Sequence, residues 1–149
     1  MSYEPRSIVL RWFEEVWNQG REETIDELFA RDGVALGLGM GDTPVHGPAA
    51  FKVFWRNMRG ALPDVEIKVE DIVIEGDKVV VRVTLEGTHR GDGLGVAPTG
   101  RRIRIAGIVL VEFADGKIVR GWNSWDQLGL LHQLGAISAP GDRFLAANK

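Results

Sequence analysis

From the amino terminus, apolar residues recur at three- and four-residue spacing: Ile8, Val9, Trp12, Phe13, Val16 and Trp17, until Asn18-Gln-Gly20 stops them. With Pro5 suited to a first helical turn, this spacing predicts an amphipathic helix carrying an aromatic stripe. Ile25, Leu28 and Phe29 predict a second, shorter helix that exits at Asp32-Gly33. The Gly-bearing stretch from Val34 to Gly47 reads as a loop. Pro48 then opens a third helix, with Phe51, Phe54, Trp55 and Met58 on its apolar face, ending near Gly60 and Pro63. After Asp64 the period falls to two. Val65, Ile67 and Val69 alternate with polar residues, and Ile72 and Ile74 resume one residue out of step, which predicts a bulge near Glu70-Asp71. Strands follow over Lys78 to Thr88, Arg101 to Phe113 and Lys117 to Asp126, the last two joined by the hairpin signal Asp115-Gly116. A Gly- and Pro-bearing loop spans Gly91 to Gly100, and Gln127 to Leu134 predicts a short closing helix.

Three helices followed by four long antiparallel strands form an α+β plan, with helices packed on one face of a curved sheet. Residues 1–138 read as a single domain and 139–149 as a loose tail. On the long strand Ile103, Ile105, Gly107, Val109 and Val111 share one face, while Ile108 and Leu110 make the other apolar as well. Both faces then need cover, which predicts helices on one and a second copy of the chain, a homodimer through the sheet, on the other.

Composition removes whole classes of chemistry. The 149 residues include no cysteine, so disulfides, thiolate metal sites and cysteine nucleophiles are out. His46, His89 and His132 lack ligand spacing, and no metal is expected. No phosphate-cradling or dinucleotide fingerprint and no G-x-S-x-G is present. The formal net charge of −3 argues against nucleic-acid binding. The longest apolar run, Ile105 to Val111, is far short of the roughly 20 residues that cross a bilayer. No membrane partner and a cytoplasmic location are expected.

The remaining chemistry lies on the last strand, Trp122-Asn-Ser-Trp-Asp126. Strict alternation sets Trp122, Ser124 and Asp126 on one face and Asn123 and Trp125 on the other. If that first face is concave, Asp126 stands among indoles, where desolvation favours its neutral form and suits it to take and return a proton. The competing role is N-cap of the helix beginning at Gln127. On the strand before, Arg82, Thr84 and Glu86 share a face, and Arg82 would steady an anionic oxygen if that face lined the same cavity. His89, ending that strand, is a candidate donor.

Taken together, Val16-Trp-Asn-Gln-Gly20, Gly47-Pro48-Ala-Ala-Phe51, Leu62-Pro-Asp64, Gly87-Thr-His89, Pro98-Thr-Gly100, Asp115-Gly-Lys-Ile118 and Trp125-Asp-Gln-Leu-Gly-Leu-Leu-His-Gln-Leu-Gly135 resemble the SnoaL-like polyketide cyclases of the NTF2-like superfamily. The resemblance implies a cone-shaped barrel, its curved antiparallel sheet packed on three helices around a deep apolar pocket, commonly in a dimer. It implies cofactor-free ring closure by intramolecular aldol addition, or a related isomerisation, on a small hydrophobic carbonyl substrate. An acid on the last strand serves as base in those cyclases, and Asp126 is the matching position, with His89 and Arg82 as polar partners. Trp122, Ser124, Thr84, Trp55, Phe51, Ile105 and Val109 are the expected substrate-binding residues. Two alternatives stand beside this: an epoxide hydrolase resembling the limonene-epoxide-hydrolase group, using Asp126 and Arg82, and a non-enzymatic small-molecule binding protein.

Overall fold

The computed structural model describes residues 4–39 and 43–138. The tail from residue 139 therefore lies outside the described residues. The first helix, α1 (Pro5–Arg11), runs on as a wide π-type segment (Trp12–Asn18), in which Gln19 N–H donates to the Glu14 carbonyl five residues back. Widened turns hold four to five residues, so Trp12, Phe13, Val16 and Trp17 all point to one side and are all buried. The carbonyls this leaves without helical partners are used: Trp55 Nε1–H donates to Val16 O at 2.8 Å and Arg59 to Trp17 O.

Helix α2 (Glu22–Leu28) passes directly into strand β1 (Phe29–Leu36), and β2 (Val45–His46) leads into α3 (Gly47–Ala61). Strands β3 (Glu66–Glu75), β4 (Lys78–Thr88), β5 (Arg102–Ala114) and β6 (Lys117–Trp125) follow, then α4 (Gln127–Gln133). The sheet order is β2-β1-β6-β5-β4-β3. Two expectations are corrected here. Phe29 starts a strand instead of closing a helix, and part of the stretch read as loop is β1 and β2, giving six strands where alternation showed four. The sheet is also mixed, because β1 lies parallel to β6 while β3 to β6 are antiparallel. Ala30-Arg-Asp-Gly-Val-Ala has no clean two-residue period, since β1 is bulged between Phe29 and Val34 against β6.

The bulge in β3 falls between Val69 and Asp71. Asp115-Gly116 turns the β5–β6 hairpin with both residues at positive φ, 53° and 76°, the backbone a two-residue turn of this hand requires. Inward residues of β4 and β5 (Val79, Val81, Val83, Leu85; Ile103, Ile105, Val109, Val111) pack against α1 and its π-type continuation, and α3. Outward, Val73 lies beside Val80, Val80 beside Leu110 and Leu110 beside Trp122, an apolar row across four strands. Val73, Val80 and Trp122 are exposed, as is the neighbouring Ile108.

The motif segments act as staples between elements. Asn18 Nδ2 donates to Ile67 O at 3.0 Å and its Oδ1 accepts Ile67 N–H at 2.7 Å, so one amide stands in for a neighbouring strand along the free edge of β3. Asp64 accepts from both Thr88 N–H and Thr88 Oγ1–H at 2.7 Å. These bonds, with help from Arg102, hold its carboxyl below the usual carboxylate range. Gln133 clasps Arg104 of β5, donating to its carbonyl and accepting its N–H, both at 2.8 Å. Gly135 and Ala136 N–H groups close α4 onto the His132 and Leu131 carbonyls.

Glu15 joins α2 to the first helix through Arg11 at 2.7 Å and Thr24 at 2.9 Å. Its carboxyl is held below the free value of 4.5, first by the Arg11 hydrogen bond, against the opposing effect of burial. A lowered folded value stabilises the fold above pH 4.5 and is lost as pH falls through that lowered value. Urea midpoints measured against pH are expected to fall less steeply below pH 4.5 in Glu15→Gln than in the parent.

Candidate functional site

Between the inner face of the sheet and the helices lies a cavity of about 340 Å³. Trp12, Phe13 and Trp17 contribute from the first helix, Phe51, Phe54 and Met58 from α3, and Ile105 and Val109 from β5. Leu130 and Leu131 of α4 close one end, and Gly93 and Leu94 bring in the loop after β4. No charged side chain among the described residues lines this space. Its polar side chains are the amides Asn123 and Gln127 and the indoles of Trp12, Trp17 and Trp125.

Asn123 and Trp125 come from the segment that carried the sequence-level candidates, but from the opposite face. At the start of β6 Phe113 pairs with Ile118, and Ile118 is buried; beyond a register shift Glu112 pairs with Arg120 and Val109 with Asn123. The strand thus carries one extra residue at Val119, and a one-residue slip reverses every later side chain. Gly121, Asn123 and Trp125 face inward, while Trp122, Ser124 and Asp126 face out. Uninterrupted alternation from Ile118 gives the reverse. Gly107 makes room for the turned-in indole: a Cβ there would sit 2.4 Å from Trp125 Cε3.

Asp126 is exposed and caps α4, its Oδ1 accepting Gly129 N–H at 2.9 Å. It does not line the cavity. Asp126→Ala is expected to cost about 1 kcal/mol, roughly 3 °C in a thermal melt, whereas Asp126→Asn, which retains an accepting oxygen, leaves the melt unchanged. Arg82 also projects from the outer face, exposed, donating to Asp71 at 2.7 Å. Thr84 lies beside it and donates to Glu70 at 3.0 Å. Trp122 is 48% exposed and Ser124 is exposed. Trp55 is buried in the core with its indole N–H spent on Val16 O, outside the cavity lining. The expected cluster of Asp126, His89 and Arg82 is therefore not assembled around the cavity. Phe51, Ile105 and Val109 do line it.

His89 is completely buried but is not part of the lining. Its Nδ1 accepts Thr99 N–H at 3.2 Å and lies 3.0 Å from Thr99 Oγ1, a pairing that ties the two ends of the 89–100 loop together. An accepting Nδ1 places the proton of the neutral ring on Nε2, which is buried without a partner. No group of three or more His, Asp or Glu side chains among the described residues is arranged to hold a metal ion. No helix of the described residues is long and apolar enough to cross a membrane.

Residues 7–134 match the family model of the SnoaL-like polyketide cyclases. The chain belongs to this family. An aklanonic acid methyl ester cyclase of Streptomyces sp. (strain C5) is 31% identical over 134 residues, 88% of this chain and 82% of that one. A nogalonic acid methyl ester cyclase of Streptomyces nogalater is 33% identical over 123 residues, 80% and 89% of the two chains. Among solved structures, a protein of Jannaschia sp. CCS1 assigned as a SnoaL-like polyketide cyclase superposes with a TM-score of 0.81 at 27% identity, covering 89% of this chain and 92% of its own. The SnoaL-like segments quoted from the sequence serve largely to staple the cone together, through Asn18, Asp64, Thr88, Thr99 and Gln133. Asn123 and Trp125 at the cavity wall were missed because nothing in Lys117-Ile-Val-Arg-Gly marks the bulge. The glycine at 107, inside an otherwise apolar strand, was the available signal that a large ring lies over it.

Proposed function

We propose that this SnoaL-like chain closes a ring on a neutral, hydrophobic polyketide-derived carbonyl compound inside the cavity, by intramolecular aldol addition and without a cofactor. The observation that carries this reading is a cavity of about 340 Å³ lined mostly by hydrocarbon and aromatic rings, with no charged side chain among the described residues. A charged guest would leave water without a partner there, whereas a neutral ester loses little. The two relatives are named for methyl esters, in which a carboxylate has been neutralised. In such a step a C–H carbon loses its proton, the resulting enolate carbon bonds to a carbonyl carbon, and that oxygen takes up a proton. Product and substrate have the same composition. The walls hold the two carbons in a folded approach, an orientation effect that can supply about 7–11 kcal/mol of a barrier.

Aklanonic and nogalonic acid methyl esters are the direct probes. Turnover to an isomer of unchanged mass, with no oxygen taken up from labelled water, is expected. With limonene oxide as a separate probe, a product heavier by one water supports the epoxide-hydrolase reading, and saturable binding of the esters without turnover supports the binding-protein reading. Asp126→Asn is expected to keep near-parental turnover, because its carboxylate is outside the cavity. A loss of about 10²–10⁴-fold with an unchanged melt would return the general-base role to Asp126. The outward row Val73, Val80, Leu110 and Trp122, exposed at Val73, Val80 and Trp122, supports a homodimer through the outer face of the sheet. Light scattering should give twice the chain mass for the parent and a single-chain mass for Trp122→Glu/Ile108→Glu.

A further inference from the structure

The polar side-chain groups on the cavity wall are the amides of Asn123 and Gln127 and the indole N–H groups of Trp12, Trp17 and Trp125. Asn123 and Trp125, neighbours on the inward face of β6, line it together, and their hydrogen bonds to each other and to the protein are incomplete. Trp125 Nε1–H reaches Asn123 Oδ1 only at 3.3 Å, beyond the usual N–H···O range of 2.7–3.2 Å. Asn123 Nδ2 makes one good bond, to Leu36 O at 3.0 Å, and directs its other hydrogen to Gly121 O at 3.5 Å. Two N–H groups are therefore underused side by side, in surroundings of low polarity where an additional acceptor is worth more than in water. Gln127, also in the lining, already gives its amide nitrogen to Gly39 O at 2.9 Å. Asn123 is held in place by Leu36 O, and the Trp125 ring lies over the bare backbone of Gly107. The donors are thus fixed before a ligand arrives.

We infer that Trp125 and Asn123 form a station that holds a carbonyl oxygen of the ligand, Trp125 Nε1–H sharing its hydrogen between Asn123 Oδ1 and that oxygen, and Asn123 Nδ2 supplying a second. This inference rests on the cavity being the ligand site. It specifies the guest further: a flat apolar compound with a carbonyl oxygen directed at β6, and no ionised group. It also assigns the last strand a donor's role at the cavity wall, in place of the acceptor that a carboxylate would be.

The test uses a ketone and its oxygen-free counterpart, 9-fluorenone and fluorene, with binding read from quenching of Trp12 and Trp17, which line the cavity. The parent protein is expected to bind the ketone about tenfold more tightly or better, the scale of one good hydrogen bond at a buried site. Trp125→Phe, which keeps a ring but removes the N–H, should lose most of that preference while binding fluorene as before. Asn123→Ala should do the same in part. Equal affinity of the parent for both compounds, or a preference undiminished in Trp125→Phe, overturns the station and leaves the cavity reading standing. Failure of both compounds to bind the parent overturns both.

Discussion

Gly107→Ala is expected to lose most ligand binding, by tenfold or more, and about 1–3 kcal/mol of stability. The added Cβ would stand 2.4, 2.7 and 2.8 Å from three ring carbons of Trp125, so the indole must lift off the sheet. The ring lies on β5 at Gly107 and lines the cavity, so lifting it off the sheet takes up cavity space. Titration of a flat aromatic ketone against parent and variant, with urea unfolding alongside, checks both parts. An unchanged dissociation constant would show that the ring is not held over the glycine.

Phe51→Ala is expected to cost about 3–5 kcal/mol, the range for truncating a buried phenylalanine. Phe51 is the hub of the aromatic cluster: its ring centroid lies 5.1 Å from that of Trp12, 5.5 Å from Phe29, 5.9 Å from Phe54 and 6.2 Å from Trp17. It therefore ties α3 to both the first helix and β1. For a domain with a total stability of about 5–15 kcal/mol, such a loss places the variant near its threshold, with a melting temperature lower by about 10 °C. Calorimetry or circular dichroism on heating measures it. A shift under about 3 °C would mean the ring contributes little beyond filling space next to an existing cavity.

Long-period signals survived into the structure. The aromatic stripe of the first helix, the Phe51 face of α3, the Val69–Asp71 bulge and the Asp115-Gly116 hairpin are each encoded locally, by spacing or by a residue type suited to one backbone conformation. So is Asp126 as a helix cap, since an accepting oxygen one residue before a helix acts within its own turn. Strand β1 left no such trace. Its pairing with β6 is parallel and irregular, and neither partner's alternation requires the other.

Spacing alone thus set the helices, strands β3 to β6 and the apolar character of the interior, because burial of a periodic face follows from free energies local to each element. Which side of the last strand faces the cavity was decided elsewhere, by one surplus residue at Val119 in the pairing of β6 with β5. A two-residue period has no memory of absolute direction, so a single bulge exchanged Asp126 for Asn123 at the wall and turned an expected proton acceptor into a pair of hydrogen-bond donors.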